Sequence, residues 1–86
     1  MEKRIGLDVE KFEKTLDNYP QLEIILLSGV VSIKMCRELL DIDRWLMNDL
    51  YKDLVLMQAV VGISSSNFRA KPDAIEVIKR RRESRK

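Results

Sequence analysis

The sequence predicts an all-α fold, a small bundle of three to five helices, and three observations carry that reading. Apolar residues recur at helical spacing along most of the chain. Residues that start helices stand ahead of those stretches: Asp8, Ser32 and Asp43 as caps, Pro20 and Pro72 in first turns. No two segments read as partners in a sheet.

Taken in order, residues 1–7 form a short polar lead-in. Asp8 caps a first helix in which Val9, Phe12 and Leu16 share a face, and which ends near Asn18 because Tyr19 precedes Pro20. Pro20 opens a second helix with Leu22, Ile25 and Leu26 at helical spacing, Ile24 and Leu27 making it apolar nearly all round. Glu23 favours its positive end, and Gly29 stops it. A buried strand over 24–31 competes with this helix, since short apolar runs fit either.

Ser32 caps a third helix to Leu40, with Ile33, Cys36, Leu39 and Leu40 facing inward. Asp41 or Asp43 caps the fourth, expected over 44–61 as the long central helix. Its seam is Met47, Leu50, Leu54, Met57 and Val61, and past Leu54 it is apolar on most sides through Val55, Leu56, Ala59 and Val60. A helix apolar all round must be buried all round, which in so short a chain predicts a homodimer. Gly62 ends this helix. Residues 63–71 read as a polar connection anchored by Phe68, and Pro72 and Asp73 open the last helix, with Ala74, Ile75, Val77 and Ile78 on its apolar side.

The chain of 86 residues makes one domain, 1–78, with a basic end at 79–86. That end carries six basic groups and one acidic, net +5. The remainder, with 10 basic and 13 acidic groups, is net −3. A single cysteine excludes an internal disulfide, and Cys36 reads as a small core residue. The N-terminus shows no signal peptide and no apolar run is long enough to span a bilayer, so a cytoplasmic, non-membrane protein is expected.

Absent chemistry narrows the function. With no histidine and one cysteine, His/Cys zinc sites and Ser-His or Cys-His nucleophiles cannot be built. The three glycines are scattered and form no phosphate loop. The carboxylate pairs Asp41/Asp43 and Asp49/Asp53 read as solvated helix positions, and Gly62-Ile-Ser-Ser-Ser reads as a loop. No enzyme, cofactor or metal is expected.

Two binding functions remain. The first is a protein-interaction module (an adaptor, inhibitor or assembly factor) that contacts another protein or itself through Trp45, Met47, Leu50, Leu54, Met57 and Val61. Trp45 is expected to be partly buried. A short histidine-free helical chain suits an accessory factor of a phage or mobile element. The alternative is a nucleic-acid-binding regulator that uses Lys79, Arg80, Arg81, Arg82, Arg85 and Lys86 as an exposed basic end.

Residues 32–54 resemble a helix-turn-helix loosely. The turn usually has a glycine where Asp41 stands, and a small residue where Arg37 stands. Asp49 and Asp53 on the second helix would meet phosphates unfavourably. A major-groove reader is therefore not expected, and the tail is left to bind backbone without sequence preference.

Overall fold

The computed structural model describes residues 6–85, so residues 1–5 of the lead-in and Lys86 of the basic end lie outside the described residues. Five helices and three short strands follow in the order α1 (Val9–Asn18), α2 (Leu22–Leu27), β1 (Val31–Ser32), α3 (Ile33–Leu40), α4 (Arg44–Leu56), β2 (Val60–Gly62), β3 (Asn67–Ala70) and α5 (Pro72–Ser84). The fold is mostly helical, but it is not all-α. The strands form an antiparallel sheet in the order β1-β3-β2.

The three expected caps form, whereas Pro20 lies in the turn ahead of α2 and not in its first turn. Asp8 accepts a hydrogen bond from the Lys11 amide, Ser32 from Met35 and Asp43 from Leu46. These caps satisfy amides that have no partner within the helix. Segment 22–27 is helical, and the backbone then turns at Gly29 with φ +107°. Val31 and Ser32 pair with Phe68 and Asn67, so the competing strand reading holds for the end of 24–31 and no more.

The expected helix over 44–61 ends at Leu56. Gln58 turns the chain with φ +66°, and Val60, Val61 and Gly62 pair with Ala70, Arg69 and Phe68. The apolar run past Leu54 therefore belongs to two elements. Its β-branched residues Val60 and Val61 alternate inward and outward as a strand does. Gly62 lies within β2 and does not end a helix. A Cβ there would stand 2.9 Å from the Tyr51 hydroxyl oxygen, so a larger residue would shift the tip of that side chain. Residues 67–70, expected as part of a polar connection, form the central strand, with Phe68 and Ala70 inward.

No long helix apolar on every side exists among the described residues, which removes the physical premise for the expected homodimer. One core joins Phe12 and Leu16 of α1, Leu22, Ile25 and Leu26 of α2, Cys36 of α3, Met47, Leu50 and Leu54 of α4, Phe68 of β3 and Ala74, Val77 and Ile78 of α5. No helix among the described residues is long and apolar enough to cross a membrane.

Candidate nucleic-acid interface

α3 and α4 are joined by a turn of three residues, Asp41–Asp43. The Ile42 amide donates to the Arg37 carbonyl at 3.3 Å and the Asp41 amide to Glu38 at 3.2 Å. This pair of bonds is the Schellman helix ending, which needs a left-handed residue. Asp41 supplies it, at φ 57° and ψ 49°. Aspartate is among the few residues that tolerate this region, so the turn forms without glycine. The first departure, aspartate in place of glycine, is thus accommodated by the backbone. Arg37 is the second departure, and it is half-buried and lines a cleft.

The β2–β3 hairpin stands beside α4. Tyr51 of α4 packs its ring on Phe68 of β3, with centroids 5.4 Å apart and planes at 59°, a favourable tilted pairing. At the tip, the Ile63 and Ser64 amides both donate to the Asn67 carbonyl, and the Ile33 amide donates to the Ser66 carbonyl at 2.8 Å. The start of α3, the flank of α4 and the hairpin tip are thus tied into one unit.

Between them lies an open cleft of about 340 Å³ lined by Ile33, Lys34, Arg37, Arg44, Met47, Asn48, Tyr51, Ser65 and Ser66. Three cations converge there with amide and hydroxyl groups, and no carboxylate lines it. Lys34, Arg37 and Arg44 make no ion pair among the described residues. A depression of about 280 Å³ between α1 and the end of α4 carries Lys11 and Lys14, but also Asp8 and Asp53. Its charges offset one another, so it offers an anion far less.

The expected interface residues separate. Met47, Leu50, Leu54 and Met57 are buried in the chain's own core and out of a partner's reach. Trp45 is not partly buried: it is 77% exposed, because the inward turn of α4 is taken by Met47, Leu50 and Leu54. Val61 lies on the outer side of β2.

The basic end is also divided. Lys79 and Arg80 are exposed on α5. Arg81, Arg82 and Arg85 converge on Glu23 of α2, which is only 2% exposed. Arg81 Nε donates to Glu23 Oε2 at 3.1 Å, its Nη2 reaches Asp17 Oδ1 at 2.7 Å, and Arg85 donates to the same Glu23 oxygen. Burial pushes the Glu23 carboxyl up, but the hydrogen bonds and charges of Arg85 and Arg81 outweigh it and hold the group below its ordinary 4.5. The hydrogen bond to Asp17 holds Arg81 above its ordinary value, against the lowering effect of burial. This end of the chain is therefore structural in part, and not simply the exposed basic end expected from the sequence.

Among the described residues no three His, Cys, Asp or Glu side chains come together as metal ligands. Cys36 is buried, and burial pushes its thiol up to about 11, leaving little thiolate at neutral pH. Compared with protein-family models, with curated proteins and with solved structures, the chain matches none.

Proposed function

We propose that this chain binds nucleic acid, and that the cleft between α3, α4 and the hairpin tip, with Lys34, Arg37 and Arg44 on phosphates, is where it does so. The observation that carries this is the convergence of three unpaired cations with Asn48, Tyr51, Ser65 and Ser66 in a cleft whose lining holds no carboxylate. Phosphate contacts of this kind supply most of the affinity in such complexes. The element order adds support: α3, a three-residue turn and α4 have a helix-turn-helix arrangement, and the β2–β3 hairpin stands beside α4. That likeness is one of topology and not of sequence. In helix-turn-helix proteins the second helix enters the major groove, which here is α4.

A mobility-shift titration across salt concentrations, with duplex DNA, single-stranded DNA and structured RNA, tests the proposal. Each phosphate contact contributes about 0.9 to the slope of log affinity against log salt. Replacing Lys34, Arg37 and Arg44 together by alanine should lower that slope by about 2.7, with the helical circular dichroism unchanged. Failure of the intact chain to retard any nucleic acid at low salt overturns the reading.

A second reading, a protein-interaction module that pairs with itself or another protein, retains one observation. Trp45 and Leu56 stand 77% and 78% exposed on α4. Under that reading, light scattering at high micromolar concentration gives a mass above one subunit, and Trp45→Ala returns it to one.

A further inference from the structure

The outward face of α4 carries more than a phosphate site needs. With Met47, Leu50 and Leu54 turned into the core, Trp45, Asp49, Lys52 and Leu56 follow one another at i, i+4, i+7 and i+11 on the opposite side, all exposed. Of the acids near this surface, Asp43 holds the Leu46 amide and Asp53 lines the depression beside α1, while Glu38 and Asp41 stand exposed on α3 and at its end, off α4. Asp49 and Lys52 make neither a side-chain hydrogen bond nor an ion pair among the described residues, although they lie one turn apart. An acceptor and a donor thus stand unused in the middle of the helix that the proposed function places in a groove.

A carboxylate at that place is repelled by phosphates on every sequence, and the repulsion is offset where it meets a hydrogen-bond donor on a base edge. In the major groove the donors are the amino groups of cytosine and adenine. The adenine amine lies beside the N7 acceptor, which repels a carboxylate, so cytosine is the match. Lys52 complements guanine, whose O6 and N7 are both acceptors. At i and i+3 the two side chains stand about 5–6 Å apart on one face, within reach of base pairs one step of roughly 3.4 Å apart, so the two address neighbouring base pairs. A helix cannot do this in double-stranded RNA, whose major groove is too deep and narrow for side chains to read.

Resting on the cleft as a nucleic-acid site, we infer that Asp49 and Lys52 read two adjacent G·C base pairs in the major groove of duplex DNA, Asp49 accepting from cytosine N4 and Lys52 donating to guanine O6 and N7. Asp49 is then a specificity device. It weakens binding to most sequences and is relieved at one.

Selection of bound sequences from a randomised DNA duplex, using the full chain, tests this. The wild-type pool should fix two neighbouring G·C pairs. Asp49→Ala should lose the cytosine preference by roughly 5- to 150-fold and bind random duplex more tightly. Lys52→Ala should lose the neighbouring guanine and leave the cytosine position intact. Both positions are exposed, so circular dichroism should match the wild type. A wild-type pool without adjacent G·C pairs overturns the inference, as does an Asp49→Ala pool identical to the wild type. In either case salt-dependent retention of random duplex leaves the cleft standing. Absence of retention on any nucleic acid at low salt removes both.

Discussion

Two sets of three cations in this chain differ in what they face. Arg81, Arg82 and Arg85 of α5 converge on Glu23, and Arg81 also reaches Asp17, so their charge is spent on joining α5 to α1 and α2. Lys34, Arg37 and Arg44 line an open cleft with no acid among them. In the sequence the first set is the conspicuous one, part of a +5 run of eight residues, while the second is scattered over eleven positions among acids. The contrast teaches that a run of basic residues does not by itself mark a binding surface. What matters is which cations remain without a partner once the chain has folded, and a buried carboxylate claims its partners first. Leaving Glu23 buried without them is costly, whereas an exposed lysine is satisfied by water.

Deleting residues 79–86 should break that contrast with the largest effect. It strips Glu23 of all three arginines and should destabilise the fold by about 3–5 kcal/mol, a large part of a small domain's stability. Urea unfolding measures it. A deletion that lowers nucleic-acid affinity while leaving the urea midpoint unchanged would instead make the end a binding tail.

Acid should separate the two regions next. The folded-state carboxyl of Glu23 titrates below its ordinary 4.5. Its stabilising contribution is therefore complete above pH 4.5 and is lost as pH falls through the folded value. Thermal melts from pH 6 to pH 3 should show the midpoint falling at the acid end. Glu23→Gln should flatten that fall, whereas neutralising Lys34, Arg37 and Arg44 should leave it unchanged.

The smallest effect concerns the turn beneath the cleft. Asp41 holds φ 57°, a region that glycine adopts without strain. Asp41→Gly relieves a left-handed strain of about 1–2 kcal/mol and adds an unfolded-state cost of about 0.4–1 kcal/mol, so it should stabilise the chain slightly, read as a higher urea midpoint, with cleft geometry and nucleic-acid affinity retained.

The helix starts were legible, but not every face or end: Leu39, expected inward, is exposed, and α4 stops at Leu56. Asp8, Ser32 and Asp43 cap where the sequence places caps, and Pro72 opens α5. The sheet was not legible, because the run from Leu54 to Gly62 merges the end of a helix with a strand, and apolar content alone does not mark the boundary. The alternation of Phe68, Arg69 and Ala70, with Val60 and Val61 before a serine-rich tip, was the available signal. Glu23 could also have been found. Arg81 and Arg85 at i and i+4 offer one face to meet an acid, although α2 is not buried all round, since Ile24 beside Glu23 is exposed. The cleft could not, since Lys34, Arg44 and Ser65 share no periodicity.

What the sequence by itself determined is the set of helices, their caps and the buried faces of Phe12, Leu16, Cys36, Met47, Leu50 and Leu54. These follow from interactions within a turn or two of chain, which spacing and residue type express directly. Tertiary structure alone decided the pairing of Val31 with Phe68 and the capture of Arg81 by Glu23, 58 residues away. It also decided the meeting of α3, α4 and the hairpin tip around three cations. Such contacts depend on where the shared core places distant segments, and no local pattern along the chain encodes that placement.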